Sequence, residues 1–240
     1  MIEARKSRLF NSFFAGHARA RLARTFETVR VRGLDAARAR VAREPLLFVS
    51  NHTAWWDPLL AIHLSNHLLD ADAFAMMDAK NLRALPFFGR VGAFGVDLDD
   101  PRDGARAIRY AARLLDRPKR LVWVFAQGRE RPITERPLVF RAGSAEVSRV
   151  AKVRVVPVAL RYEFGATERP SVFVSMGEAL ELDRDVARGR AAQELGVTRE
   201  LDAIDAAVRS GKGDDFHVTL RARATPLAGF AARALAWLTG

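Results

Sequence analysis

The segment SNHTAWWDP, at residues 50–58, carries two side chains whose types and spacing suit acid-base chemistry. His52 and Asp57 are five residues apart. On a continuous helix they would lie about 140° apart, at about 100° per residue, so they can meet only if residues 52–56 fold back as a turn. In such a turn the Asp57 carboxylate accepts the Nδ1 hydrogen of His52 and leaves Nε2 as a general base. The alternative is that Asp57, followed by Pro58, only begins a helix as its N-cap.

The elements that must position this pair alternate between strands and helices. An apolar run at 45–50 predicts a buried strand before the pair, and the pattern of 58–69 predicts an apolar helix after it. Further strands are predicted at 73–77, 93–98, 120–126, 153–163 and 171–180, and further helices at 104–115, 143–151 and 190–210. The alternation predicts an α/β fold, in which a mostly parallel or mixed central sheet is flanked by helices. We expect one domain, with its catalytic core at 45–185.

Both ends of the chain have the pattern of amphipathic helices. Residues 1–40 are predicted to form a basic helical arm, and residues 186–240 to form C-terminal helices that end in TPLAGFAARALAWLTG. One stripe of the N-terminal helix is apolar and contains Leu9, Phe10, Phe13, Phe14 and His17. This helix either lies in a lipid interface, with its arginines on phosphates, or packs on its own domain with a solvated basic face.

Four blocks of the sequence, in order, resemble those of the glycerolipid acyltransferase family, which includes the lysophosphatidate acyltransferases. NHTAWWDP is similar to the family's N-H-x-x-x-x-D block. Three later blocks follow at GRVGAFGVDLDD (89–100), WVFAQGRERP (123–132) and VVPVAL (155–160). The resemblance spans residues 45–162, about half of the chain, and leaves both termini outside.

The resemblance implies that a fatty acyl group passes from acyl-CoA or acyl carrier protein to the hydroxyl of a membrane lipid. His52 is then the general base and Asp57 orients it, and neither a cofactor nor a metal is needed. Gly128 would let the backbone approach the substrate, as a source of oxyanion or phosphate donors. Substrate contacts are expected from Asn51, Asp97, Gln127, Gly128, Arg129 and Arg131.

Two blocks depart from the family pattern at the arginines that hold the acceptor's phosphate. Leu98 occupies the usual arginine position of the second block, and Glu130 occupies that of the third, where Gln127 also replaces the usual glutamate. Arginine makes bidentate contacts to phosphate that leucine cannot make and that glutamate opposes. Arg129 and Arg131 flank the altered position. The acceptor is therefore either lysophospholipid-like or a lipid alcohol without phosphate, such as a glycolipid, an ornithine lipid or a carotenoid-type alcohol.

The net charge of the chain limits the classes of partner that we expect it to bind. The chain carries 39 Lys+Arg against 28 Asp+Glu, a net charge of +11, which favours a polyanionic neighbour such as lipid headgroups, nucleic acid or a phosphorylated ligand. The arginines are spread widely and no nucleic-acid-binding signature appears, so we expect a membrane surface and no nucleic acid. No stretch of about 18 apolar residues suggests a membrane span. We expect a peripheral protein at the cytoplasmic face of the inner membrane.

Three other functions stay open at this stage. They are a catalytically silent lipid-binding relative, a basic nucleic-acid-binding protein, and a hydrolase that uses the same base on water. The pair His63 and His67 has a spacing that can bind zinc but lacks a third ligand, so we expect packing and no metal. The acidic residues Asp97, Asp99, Asp100 and Asp103 are expected to form a strand end, a turn and a helix cap, with a cation site as the alternative.

Overall fold

The computed structural model describes residues 1–181, 183–211 and 213–222, and in these residues eight strands form one sheet. They are β1 Thr28–Arg32, β2 Leu46–Ser50, β3 Asp72–Asp78, β4 Ala93–Val96, β5 Arg120–Phe125, β6 Arg154–Glu163, β7 Ser171–Met176 and β8 His217–Arg221. Across the sheet their order is β4-β3-β5-β2-β6-β7-β1-β8. The first five strands in this order, from β4 to β6, are parallel to one another. Strand β6 pairs with β7 antiparallel, and so does β1 with β8. The predicted α/β fold with a mixed sheet is confirmed.

Helices connect the strands and cover both faces of the sheet. They are α1 Arg8–Thr25, α2 Leu34–Val41, α3 Asp57–His63, α4 Ala79–Ala84, α5 Phe87–Val91, α6 Pro101–Leu114, α7 Gly143–Ala151 and α8 Val186–Ser210. A π-helical turn, Leu64–Leu68, extends α3.

The central strands are buried on both faces, as their continuous apolar sequences require. In β2, Leu46 and Phe48 pack into the core layer on the α3 side. Leu47 and Val49 point the other way, into the layer that contains residues of α6, α7 and α8. Because successive side chains of a strand alternate between faces, an unbroken apolar run fills both layers at once.

The N-terminal helix packs on the domain through small residues. Its buried positions are Asn11, Ala15, Ala18, Leu22 and Ala23. In the predicted apolar stripe, Phe10 and Phe14 are half-buried and Phe14 contacts the ring of Phe87. Leu9 and Phe13 are 87% and 72% exposed. The helix therefore packs on its own domain and still presents apolar side chains to its surroundings.

The structure corrects several predicted boundaries. Residues 28–32 lay in the predicted arm at 1–40 but form β1, and a strand, β8, interrupts the predicted C-terminal helices. Strand β4 ends at Val96, two residues early, because the chain turns at the aspartates that follow. The predicted helix at 225–240 lies outside the described residues.

The strand order brings several carboxyl ends to one edge of the sheet. In the register of the parallel strands, Ser50 at the end of β2 lies beside Phe125, the last residue of β5, and beside Val158 of β6. On the far side of β5, strands β3 and β4 end at Asp78 and Val96. The segments that follow β2 and β5, which contain His52 and Gly128, therefore meet at this edge, as crevices of open α/β sheets do.

Candidate active site

The residues between His52 and Asp57 fold back as a turn, and this turn joins the two side chains. The Asp57 backbone N–H donates to the carbonyl of Ala54 at 3.1 Å, and α3 begins at Asp57. Nδ1 of His52 then lies 2.6 Å from Oδ2 of Asp57. The fold-back predicted from the spacing is confirmed. The N-cap alternative is wrong, because Trp56 occupies the N-cap position and Asp57 lies inside the first turn.

The Asp57 carboxylate is fully buried, at 0% exposure, and it receives four hydrogen bonds. Oδ2 accepts from the backbone N–H groups of Thr53 and Ala54, at 2.8 and 3.1 Å, besides its contact with His52. Oδ1 accepts from the hydroxyl of Tyr162 at 2.6 Å. Because a buried carboxylate must be compensated by donors, this set holds Asp57 as an ionised, fixed acceptor.

Tyr162 reaches Asp57 from the carboxyl end of β6 and stays protonated. Burial, together with the negative charge of Asp57 and the hydrogen bond to it, raises the pKa of the Tyr162 phenol well above its usual value. The Tyr162 ring packs against Phe26, which in turn contacts Trp56. A protonated phenol can only donate to the carboxylate, so it fixes the second oxygen of Asp57 without competing for the histidine.

The backbone and ring of His52 are also held. The His52 N–H donates to Oε1 of Gln127 at 2.8 Å, and its carbonyl accepts from the N–H of Arg131 at 2.8 Å. The imidazole stacks on Phe125, with ring centroids 4.7 Å apart. With Nδ1 engaged by Asp57, Nε2 is the free nitrogen, and its nearest ionic neighbour is Oε1 of Glu130 at 3.6 Å. The arrangement suits a general base that accepts a proton at Nε2.

His52 lines a cavity of about 610 Å³ that has an apolar part and a polar part. The apolar part runs along one side of α3 and is bordered by β3, β5, α4 and α5. Its lining includes Pro58, Ala61, Ile62, Ala75, Leu85 and Phe88. The polar part lies at the carboxyl ends of β4 and β5. Its lining includes Asp97, Asp99, Gly128, Arg129, Glu130 and Arg141. Such a cavity fits a ligand that is apolar at one end and polar at the other.

Three of the expected substrate-contacting residues line this cavity, namely Asp97, Gly128 and Arg129. Asp97 also accepts the N–H of Asp99 and so shapes the turn after β4. Gly128 has a φ of 75°, but its N–H donates to the carbonyl of Phe125 at 3.0 Å. Gly128 therefore supplies space at the cavity wall, and its own N–H is already paired within the turn. The expected oxyanion or phosphate donors at this place stay a prediction.

The other three expected contacts hold the protein's own backbone. Asn51 is buried, and its amide exchanges two hydrogen bonds of 2.9 Å with the backbone of Leu160 in β6. Gln127 and Arg131 fix His52 as described, and the Arg131 side chain lies 3.5 Å from Glu135. Asn51 does not line the cavity and its amide is paired within the sheet, so the structure gives the expected substrate contact no support. Its place at the end of β2 makes it a residue that positions His52.

Two residues of the site were not identified from the sequence. Tyr162 follows the fourth block by two residues, and only the pairing of β6 beside β2 indicates that its hydroxyl reaches Asp57. Arg141 lies beyond the third block, and its backbone N–H donates to the carbonyl of Ala126 at 2.8 Å. This hydrogen bond brings the loop between Ala126 and Arg141 back to the edge of the sheet. Neither position has a local sequence signal, since both depend on long-range pairing.

Of the two paired histidines, His63 at the end of α3 is part of the packing, whereas His67 in the π-helical turn is exposed. His63 is 1% exposed, and burial, followed by the charges of His67 and Arg19, lowers its pKa to about 4. Its ring lies 5.3 Å from that of His67, and the Nε2 of His67 lies 3.1 Å from the carbonyl of Ala15. Among the described residues, no group of three or more His, Asp or Glu is placed to hold a metal ion.

The acidic cluster after β4 forms the expected turn and helix cap. Asp100 is the N-cap of α6 and accepts the N–H of Arg102, while Asp103 accepts the N–H of Asp97 at 2.8 Å. Asp99 pairs with Lys80 at 3.3 Å.

Within the part of the chain that the structure describes, no helix is both long and apolar enough to cross a bilayer.

Comparison with known proteins gives a second line of evidence, on the family of the chain and independent of the geometry. A model of the family described as Acyltransferase matches residues 28–161, more than half of the chain. The chain is also similar to a 1-acyl-sn-glycerol-3-phosphate acyltransferase of Streptococcus pneumoniae (strain ATCC BAA-255 / R6), with 29% identity over 119 residues. That alignment covers 48% of this chain and 41% of the relative, so the chain spans less than half the length of the curated relative it matches.

Proposed function

Because the chain belongs to the acyltransferase family, we propose that it transfers a fatty acyl group from a thioester donor to the hydroxyl of a membrane lipid. The observation that carries this proposal is the 2.6 Å contact between Nδ1 of His52 and Oδ2 of Asp57, in a histidine that also lines the cavity. The similarity to an enzyme named 1-acyl-sn-glycerol-3-phosphate acyltransferase supports a glycerolipid-like acceptor.

In the proposed reaction, Nε2 of His52 removes the proton of the acceptor hydroxyl as its oxygen attacks the thioester carbonyl. Asp57 keeps the Nδ1 hydrogen in place and stabilises the imidazolium that forms. The tetrahedral intermediate then expels the thiolate, the C–S bond breaks, and the imidazolium returns its proton to sulfur. No covalent intermediate with the enzyme is needed, which suits a chain that contains no cysteine. The donor is acyl-CoA or acyl carrier protein.

The two parts of the cavity suit different portions of the substrates, as this reaction requires. The apolar part along α3 suits the acyl chain, since burial of its methylenes contributes about 0.8 kcal/mol each. The polar part at the ends of β4 and β5 suits the polar groups of the acceptor or donor. His52 lines the same cavity, so a thioester carbonyl held between the two parts lies within reach of an acceptor bound beside Nε2.

We further propose that the protein acts at the surface of the cytoplasmic face of the inner membrane, as a peripheral protein. Leu9 and Phe13 of α1 are exposed apolar side chains, and so is Trp55, which also lines the cavity. The guanidinium of Arg21 lies 5.7 Å from the centroid of the Trp55 ring. An exposed set of apolar side chains with arginines among them suits the headgroup region of an anionic bilayer.

The direct test incubates the purified chain with acyl-CoA or acyl carrier protein thioesters and a panel of acceptors. The panel contains lysophosphatidate, other lysophospholipids, a glycolipid and a lipid alcohol without phosphate. Thiol release and mass spectrometry of the acylated product are measured together. His52→Ala should lower turnover by about 10²–10⁴ with the fold unchanged, whereas His217→Ala, an exposed histidine of β8, should not.

Three results would contradict the proposal. Thiol release without any acylated product would instead indicate a hydrolase. Retention of most turnover in His52→Ala would remove His52 from its role as the base. If no thioester is consumed with any acceptor, the chain is a catalytically silent relative that binds lipid.

A further inference from the structure

Two arginines of the polar part of the cavity have no carboxylate partner. Neither Arg129 nor Arg141 forms an ion pair with any residue that the structure describes. By contrast, the neighbouring Arg131 lies 3.5 Å from Glu135. Both arginines line the same cavity, and two guanidinium groups on one wall favour an anion between them. The pair therefore points to a negatively charged group of a ligand.

Arg141 lies between the two loops that depart from the family's arginine pattern. Its Nη1 donates a long hydrogen bond, 3.4 Å, to the carbonyl of Leu98 in the loop after β4. On its other side the guanidinium rests on Gly128 in the loop after β5, where an added Cβ would lie 2.7 Å from Nε. A residue outside both altered blocks thus brings an arginine to the space between them.

The backbone around Arg141 adds positive potential at the same place. Helix α7 begins at Gly143, its N-cap is Ala142, and no side chain caps it. Gly143 and Ser144 line the cavity together with Arg141. The N-terminus of a helix carries about half a positive charge on its unpaired N–H groups, which favours a phosphate.

The carboxylates of the cavity are mostly engaged elsewhere. Asp97 accepts a backbone N–H, Asp100 caps α6, and Asp99 pairs with Lys80. Glu130 is the exception, because its carboxylate lies beside Nε2 of His52. Its charge opposes an anion at this position, so its neutralisation should strengthen anion binding.

We infer that Arg129 and Arg141, with the N-terminus of α7, bind a phosphate group of a substrate next to His52. The inference deepens the proposed function, on which it rests for placing substrates in this cavity. The phosphate belongs either to a lysophospholipid acceptor or to the coenzyme A of the donor. In the first case Arg141 binds the phosphate in place of the two family arginines, whose positions are occupied here by Leu98 and Glu130. The acceptor then carries a phosphate although both blocks are altered.

The test measures equilibrium binding by calorimetry with the full chain, so it needs no turnover. The ligands form two matched pairs: a short-chain lysophosphatidate with the corresponding monoacylglycerol, and coenzyme A with pantetheine. Arg141→Gln and Arg129→Gln should each weaken binding of a phosphate-bearing ligand by about tenfold to a hundredfold. Binding of its phosphate-free partner should not change. Glu130→Gln should strengthen the same binding, and Arg209→Gln, an exposed arginine of α8, is the charge-matched control.

The outcomes separate the two sources of phosphate. Weaker binding of lysophosphatidate alone assigns the site to the acceptor, and weaker binding of coenzyme A alone assigns it to the donor. Unchanged binding of both in the Arg129→Gln/Arg141→Gln double variant would overturn the inference. So would a wild-type chain that binds neither ligand more tightly than its phosphate-free partner. Phosphate-dependent binding without acyl transfer would instead refute the proposed function and keep this site.

Discussion

The hydroxyl of Tyr162 donates a hydrogen bond to Oδ1 of Asp57 at 2.6 Å, across a separation of 105 residues in the chain. The same carboxylate holds His52 through its other oxygen. Strand β6 therefore acts directly on the orientation of the proposed base, although none of its residues, all of which the structure describes, lines the cavity.

Tyr162→Phe should lower kcat and leave the KM values nearly unchanged. The substitution keeps the ring between Phe26 and the site but leaves Oδ1 of Asp57 without a donor, which costs about 1.5–3 kcal/mol for a charged acceptor. We expect kcat to fall about tenfold, with a lower melting temperature. The control is Tyr110→Phe, which removes a hydroxyl that accepts from Ala4 N–H away from the site. Equal effects of the two variants on kcat would show that Tyr162 acts only through stability.

The central sheet and the histidine–aspartate pair follow from local sequence, because each depends on a pattern within a few residues. The apolar run of β2 requires burial on both faces, and the five-residue spacing permits contact only through a turn. The missed elements have weaker patterns. In β1, TVRVR does alternate, with Val29 and Val31 buried and two arginines half-buried, but its basic residues make it look like a continuation of the helical arm.

The roles of individual polar residues were harder to predict, because they depend on partners far along the chain. Asn51 adjoins the proposed base in sequence, yet its amide pairs with Leu160 in β6. Arg141 has no motif, yet it enters the cavity beside Gly128. Sequence spacing indicates which residue types adjoin the site, whereas strand register decides which of them face the cavity.

Gly128→Ala should destabilise the protein and weaken anion binding together. The φ of 75° is unfavourable for a residue with a Cβ, at about 1–2 kcal/mol, and that Cβ would collide with the Arg141 side chain. The matched control is Gly16→Ala in α1, where nothing lies within 4 Å of the added Cβ. There we expect stabilisation by about 0.5–1 kcal/mol. Thermal unfolding and phosphate-ligand titration measure both effects. Normal ligand affinity in Gly128→Ala would show that Arg141 does not need this contact.

His63 should make the protein less stable as the pH falls from 7 to 5. Both ring nitrogens are buried without hydrogen-bond partners, and the pKa in the folded state is lowered to about 4 from 6.5. Below pH 6.5 the unfolded chain therefore takes up a proton that the folded chain refuses, and stability is lost progressively until the pH reaches about 4. At about 1.4 kcal/mol per pH unit, the loss by pH 5 is about 2 kcal/mol.

His63→Leu should remove this contribution, since leucine fills a similar buried space and binds no proton. Chemical denaturation at pH 7 and pH 5 gives the two free energies of unfolding, and their difference should shrink by about 2 kcal/mol in the variant. His17→Gln, a change of an exposed histidine on α1, serves as the comparison. The same pH dependence in wild type and His63→Leu would place the responsible group elsewhere.

Leu9 and Phe13 should contribute to binding of anionic membranes. Both are exposed on α1, and the chain carries a net charge of +11, so insertion of the two side chains would add to attraction by acidic lipids. Leu9→Ser/Phe13→Ser should reduce co-sedimentation with vesicles of phosphatidylglycerol and phosphatidylethanolamine about tenfold or more, at about 1.5–3 kcal/mol for each fully buried side chain. Activity toward a short-chain, soluble acceptor should be preserved, because neither residue lines the cavity.

Leu195→Ser on α8 removes an exposed apolar side chain far from α1 in sequence and should leave vesicle binding intact. If the double variant sediments like wild type, another surface holds the membrane.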